Sequence, residues 1–407
     1  MNLLFAWRYF KSKKSTNAIN IIAWVSVAAI VVGTAALIVV LSVFNGFEDL
    51  VKSLYATFYT DLKVMPVSGK TILLKPGQLS RIKAIPGVAS FSLVMEEKAL
   101  MQNGDLQTIV YLKGVDSNYG KVTTVPAAVK VGNFETGSAD RPFAVFGAGV
   151  ENALGFWSDR QIEPLTVYLP KRGAGLNVAD PLQSLSADNI YSSGTFAIQQ
   201  DFDNKYVITN LGFLQRMLNL APDEYGGLEI SLTKGADEED IQEELVQFLG
   251  PNYKVLTRYE QNQGLYSIMQ IEKWVIYGVL SLILVVAAFT MIGSLTMLVL
   301  EKQKDIQVLK ALGASNNKVR SIFLSEGFLL ATLGGLVGTL LALVIGWAQV
   351  QFKLVPLQGG TFVIDHYPVK FLLKDFLLVL GTVAFVAFIA SWFPSRKASL
   401  QPIELKS

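Results

Sequence analysis

The stretch that decides how this chain is read is Glu301-Lys302-Gln303-Lys304-Asp305-Ile306-Gln307-Val308-Leu309-Lys310-Ala311-Leu312-Gly313-Ala314-Ser315, which lies between two long apolar runs. Ile306, Leu309 and Leu312 recur at a spacing of three and are read as one apolar helical face, while Lys302, Lys304, Asp305 and Lys310 keep the rest of the surface wet. Gly313 stands where a helix C-terminus calls for positive φ. Ser315 is then placed to N-cap a second helix running into Val319, Ile322 and Phe323. The pattern predicts a helix, a hinge and a second helix, a surface fit for docking. A merely solvated connection is the alternative on this pattern alone.

Outward from this stretch, charge-free segments long enough to cross a bilayer occupy Ser15 to Phe47, Trp274 to Leu300, Gly327 to Phe352 and Phe376 to Ser395. The 407 residues are 51% hydrophobic, too apolar for an ordinary soluble protein, yet residues 48–273 contain no such run. The expected fold class is a membrane protein with four transmembrane α-helices and a large extracytoplasmic α/β domain inserted between helices 1 and 2. The apolar stretch from Ile19 to Phe44 is far longer than a signal-peptide core of roughly 7–15 residues, so the first span is read as retained.

Basic residues set the orientation. Arg8, Lys11, Lys13 and Lys14 precede the first span; Lys302, Lys304, Lys310, Lys318 and Arg320 follow the second; Arg396, Lys397 and Lys406 follow the fourth. Both termini and the 301–326 segment are therefore expected in the cytoplasm, with the large domain outside. Residues 48–273 carry 20 Lys and Arg against 27 Asp and Glu, and the remainder 15 against 6, a split that agrees with this placement. The expected boundaries are 1–18, an amphipathic N-terminal helix; 19–47, 266–300, 327–352 and 376–395, the spans; 48–265, the outer domain; 301–326, the coupling segment; 353–375, a short outer loop; and 396–407, the tail.

The outer domain reads as two subdomains. Leu62–Met65 and Ile72–Leu74 suggest strands, Gln78–Ile85 a helix, and Val88–Met101 with Leu106–Leu112 a hairpin turning at Asn103-Gly104. Leu228–Leu232, a helix capped by Asp237, and Tyr253–Leu256 form a second group expected to pack on the first. About 115–220 is then an inserted β-rich part whose Gly/Pro/Ser-rich stretch from Lys171 to Asn189 reads as a protruding loop. Phe44 and Phe47 bracket an Asn45-Gly46 pair, read as an interfacial anchor with a bend.

Several chemistries drop out. The chain has no Cys, hence no disulfide and no thiolate metal site, and one His, His366, read as a surface residue. Gly69-Lys70-Thr71 fails as a phosphate loop because the position of the leading glycine is Val64. The spans hold no ionisable residue, which argues against a proton-coupled carrier. Span two, at 27 residues, is about 40 Å as a helix and projects beyond roughly 30 Å of hydrocarbon as a lever. Gly334 and Gly338 form a small-xxx-small pair suited to close helix contact.

These residues resemble a known family, the lipoprotein-releasing ABC transporter permeases of the LolC/LolE type, within the wider MacB/FtsX-like permease group. The likeness rests on Ser42-Val43-Phe44-Asn45-Gly46-Phe47-Glu48, Val286-Ala287-Ala288-Phe289, the 301–315 stretch, Lys113-Gly114-Val115-Asp116 and Ser193-Gly194-Thr195-Phe196. The resemblance implies a non-catalytic bacterial inner-membrane subunit with a periplasmic domain. A cytoplasmic ABC ATPase dimer, holding ATP and Mg, would dock on Glu301, Lys304, Ile306, Leu309, Lys310, Leu312, Gly313 and Ala314. This chain would hold no cofactor or metal of its own. A second permease copy or paralogue, a lipoprotein substrate, membrane lipid and a periplasmic carrier are the other implied partners; nucleic acid is not among them. Phe44, Asn45, Phe47, Tyr266 and Met269 are the implied lipoprotein-cavity residues. Lys171, Arg172 and Pro181 are candidates for the carrier loop, in a stretch longer than the family's hook. A MacB-like exporter of small molecules or peptides, and an FtsX-like transmitter that activates a cell-wall hydrolase, are the alternatives.

Overall fold

The computed structural model describes residues 17–160, 163–171, 184–357 and 366–401, with side chains from Ile21 onward. The expected N-terminal amphipathic helix, Arg172 and Pro181 lie outside the described residues. Among the described residues, four helices are long and apolar enough to cross a membrane: Asn17–Phe58, Gln263–Glu301, Asn316–Phe352 and Leu373–Ser399. They are called here the first to fourth helices. The chain divides into two units, one of 1–50, 267–358 and 364–407, the other of 51–266 with 359–363.

In the first unit, Val27, Ile30, Ile38 and Leu41 of the first helix pack with Leu284, Ala287 and Met291 of the second. Leu330 and Ala331 of the third and Val379, Val383 and Ala387 of the fourth complete this core. Gly334 and Gly338 make the close approach that their spacing suggested, and the partner is the first helix. A Cβ on Gly334 would come 2.7 Å from Ile30, and one on Gly338 2.7 Å from Thr34.

The first helix departs from expectation at its outer end. It does not bend at Asn45-Gly46 but continues for 42 residues to Phe58, about 60 Å. Gly46 serves packing instead of a turn: a Cβ there would lie 2.4 Å from the Pro368 carbonyl oxygen. The second helix likewise begins at Gln263 and carries Glu272 and Lys273 within it.

The second unit is mixed α/β. Its strands are β1 (Leu62–Pro66), β2 (Ile72–Leu73), β3 (Val88–Asn103), β4 (Leu106–Val115), β5 (Val129–Gly132), β6 (Phe143–Gly147), β7 (Leu165–Pro170), β8 (Leu185–Phe196), β9 (Tyr206–Asn210), β10 (Glu224–Tyr225), β11 (Gly227–Leu232) and β12 (Tyr253–Thr257). The main sheet runs β12-β1-β11-β3-β4-β9-β6-β8-β5, with β7 bridging β3 and β8, while β2 and β10 pair separately. The β3–β4 hairpin turns as expected, with Gly104 at φ +57. Asp237 caps the Glu238–Leu249 helix by accepting from the Glu239 and Asp240 amides.

The two sequence groups do meet, since β1 pairs antiparallel with both β11 and β12. The 115–220 segment, however, is not set apart as its own sheet. β9 pairs β4 in parallel and β6 pairs β9, so one sheet runs through both groups. The unit instead has two cores. One lies around Leu62, Val64, Leu228, Ile241 and Leu245, the other around Met101, Leu112, Phe146, Val167, Ile190 and Phe213. The 16-residue β3 is long enough to serve both. Leu185–Asn189, expected in a loop, are paired residues of β8.

Candidate functional site

The 301–315 stretch folds as a helix, a stop and a new helix. Gln303–Ala311 is helical, and its end is a Schellman motif in which the Ala314 amide donates to the Leu309 carbonyl (3.0 Å) and the Gly313 amide to that of Lys310 (2.9 Å). This geometry needs φ +89 at Gly313, a conformation natural to glycine. Ser315 occupies the N-cap position of the third helix, with its carbonyl accepting from Lys318 and Val319, but its side chain makes no capping bond.

The apolar face differs from the one expected. Steps of three drift by about 60° each on a helix, so Ile306, Leu309 and Leu312 spread apart. Ile306 is buried, packed with Val299, Val319, Phe323 and Ala398 of the chain's own helices. Leu309 is half-buried, whereas Leu312 and Val308, which the sequence reading passed over, are exposed. Lys310 also turns inward: its ammonium donates to the carbonyls of Ser399 (2.8 Å) and Gln401 (2.7 Å), closing the C-terminal end of the fourth helix. Lys304 is exposed and Glu301 half-buried. The short helix is thus fastened to the third and fourth helices and presents Lys304, Val308 and Leu312 outward.

At the other end of the same unit, Asn45 is buried, and its amide is fully engaged. It donates to Asp375 Oδ2 (2.5 Å) and accepts from Lys273 Nζ (2.7 Å), while Lys273 and Asp375 lie 3.5 Å apart. The segment before the fourth helix lies against the first: the Lys370 amide donates to Ser42 O (2.9 Å) and its ammonium to Asp49 (2.6 Å). Asn45 is therefore a link between helices and not a cavity-lining side chain. Phe44 and Phe47 are half-buried and Met269 is buried. Tyr266, in the α/β unit, stacks on Tyr259 at 5.0 Å with the Lys52 ammonium 5.8 Å from its ring. Lys273 and Asp375 were missed because a charge beside an apolar run reads as the end of a span; only their pairing across the sequence reveals them. His366, taken as a surface residue, is half-buried in a bridge with Pro356.

In the α/β unit, the quoted family markers are structural. Lys113 is buried with Glu229 at 2.8 Å and faces the rings of Phe58 (4.6 Å) and Tyr119 (4.9 Å). Burial alone would raise the Glu229 carboxyl, but the Lys113 and Lys63 ammoniums outweigh it and hold the group below the usual range. Asp116 accepts from Ser92, Leu93 and Asn118, and Thr195 bonds Ser158. Lys171 is exposed at the end of β7. Among the described residues no cluster of His, Asp and Glu suited to a metal is found.

The profile of the MacB-like periplasmic core domain matches residues 23–248, and that of the FtsX-like permease C-terminal region matches 277–403. The lipoprotein-releasing system transmembrane protein LolC of Neisseria meningitidis is 26% identical, over 98% of this chain and 98% of its own. The corresponding LolE of Haemophilus influenzae is also 26% identical, over 99% and 98%. Among solved structures, the periplasmic region of MacB from Actinobacillus actinomycetemcomitans overlaps 52% of this chain and 94% of its own, at a TM-score of 0.35 and 10% identity. With both halves of the permease pattern present in order, the chain belongs to the MacB/FtsX-like permease family, and over nearly its whole length it is similar to LolC and LolE.

Proposed function

We propose that this chain is the permease subunit of an ABC transporter that extracts lipoproteins from the outer leaflet of the inner membrane for delivery to a periplasmic carrier. The observation that carries the reading is the end-to-end alignment with LolC and LolE, which spans 98% and 99% of this chain and 98% of each relative. The chain does no covalent chemistry in this scheme. ATP and Mg belong to a separate ATPase dimer, and a second permease copy or paralogue completes the complex. Both termini and the 301–326 segment face the cytoplasm, as the basic residues favour.

Coupling is mechanical. The ATPases grip the short helix through Val308, Leu312 and Lys304, with Gly313 and Ala314 fixing its end. Ile306, Leu309 and Lys310 carry its motion into the third and fourth helices, so the fourth helix joins the transmission along with the second and third. Phe44, Phe47 and Met269 serve the acyl chains of the substrate, each buried CH₂ being worth about 0.8 kcal/mol, and the stretch that follows Lys171 in sequence serves the carrier. Reconstitution with the ATPase and a labelled lipoprotein tests the reading. ATP-dependent release into solution is the expected result; activation of a cell-wall hydrolase without release would replace it with signal transmission.

A further inference from the structure

We propose that Asn45, Lys273 and Asp375 form an outer latch, closed in this structure, that must open and close again in each transport cycle; this rests on the transport reading above. Three helices meet in the latch: Asn45 lies on the first, Lys273 on the second and Asp375 on the fourth. The amide of Asn45 serves both charges at once, as donor to the carboxylate and acceptor from the ammonium. Asp375 is 5% exposed, and the Lys273 side chain 15%, so each charge depends on the other two groups for its solvation.

The chemistry of this contact sets it apart from the rest of the bundle. The core between these helices is made mainly of Leu, Val, Ile, Ala and Met side chains, contacts for which a lipid tail can substitute at little cost, with one neutral polar link from Tyr277 to Thr382. A buried ammonium, carboxylate and amide have no such substitute, and their link is either made or broken. The latch also sits on the two helices that run directly into and out of the α/β unit in sequence, the first ending at Phe58 and the second starting at Gln263. A second tie reinforces it. Lys370, five residues before Asp375, bonds the Ser42 carbonyl through its amide and Asp49 through its ammonium, and Gly46 leaves room for Pro368 between them. A lipid-anchored substrate moving between the first, second and fourth helices therefore meets a charged barrier in a seam whose core contacts are apolar or, at Tyr277 and Thr382, a single neutral hydrogen bond.

The absence of Cys permits a direct test. In the full chain, reconstituted with its ATPase and a fluorescent triacylated lipoprotein, Asn45→Cys and Asp375→Cys replace the polar link by one that a short reducible thiol crosslinker closes. Closing it should lower ATP-dependent release at least tenfold relative to the same protein untreated, with recovery on reduction. Release at the untreated rate after complete crosslinking overturns the latch. Failure of the wild-type complex to release lipoprotein overturns the transport reading beneath it, so the two failures are distinguishable. Should the double-Cys protein not assemble, charge exchange decides. Lys273→Asp and Asp375→Lys should each lose release, and the two together should restore a substantial part of it. Single variants that release at the wild-type rate overturn the proposal.

Discussion

At the scale of single residues, the clearest consequence of burial is at Lys113. Its ammonium neutralises Glu229 from 2.8 Å, and Lys63 stands farther away at 3.5 Å. Lys113→Met keeps the volume and strands the carboxylate, a change that costs about 3 kcal/mol when a buried pair is broken and a weaker partner remains. Amide exchange of β11 in the full chain should accelerate accordingly. Asp203 gives a pH signature. Burial pushes its carboxyl up to about 6, against the pull of hydrogen bonds from the Ile198 and Gln199 amides. Because the folded state holds this proton more tightly than the unfolded one, the contribution to stability is full below the ordinary carboxylate range and is lost as pH rises through 6. Asp203→Asn keeps an acceptor for the Ile198 amide and cannot ionise. Its thermal midpoint should therefore exceed that of the wild type at pH 8, by on the order of 1 kcal/mol in stability after allowing for solvent screening, with the gain vanishing near pH 4.

At the scale of elements, the Gln303–Ala311 helix shows what a sequence pattern reveals and what it does not. Its existence, its stop at Gly313 and the restart at Ser315 were legible, because positive φ and capping are local demands. Which face it turns to its own bundle was not, since three residues at a spacing of three fit two readings and only Val319, Phe323 and Ala398 choose between them. The distinction is testable. Leu312→Asp leaves the bundle intact and should abolish co-purification of the ATPase. Ile306→Asp places a charge among apolar side chains and should cost about 3 kcal/mol or more of stability, lowering the yield of folded chain together with ATPase binding. Equal yields for the two variants, measured by size exclusion in detergent, would remove the inside-outside assignment. The hairpin and the Asp237 cap were legible for the same local reason, while the continuity of the sheet through β9 and β4 rests on pairing about 95 residues apart, which no local pattern records.

At the scale of the whole molecule, the four spans were visible as charge-free runs, yet their true lengths were not. Glu48 and Asp49 read as the end of the first span, whereas the helix continues because its outer part finds partners of a different kind. Tyr55 donates to Asp201 (2.9 Å), and Phe58 stacks on Phe202 at 4.5 Å and packs on Tyr206 at 4.5 Å. Apolar composition reports the bilayer; these contacts report the α/β unit, and a single helix answers to both. Rigidity between Gly46 and Tyr55 is then a functional requirement of any mechanism that moves one unit by means of the other. Lys52 and Ser53 are exposed in this stretch, so replacing both by Gly weakens the helix, at about 1 kcal/mol per residue, without removing a buried side chain. The Lys52→Ala/Ser53→Ala variant controls for the lost side chains. ATP hydrolysis by the reconstituted complex should stay near the wild-type rate in both variants. Lipoprotein release per ATP should fall severalfold in the Gly pair and not in the Ala pair; if the two variants release alike, transmission through a continuous first helix is wrong.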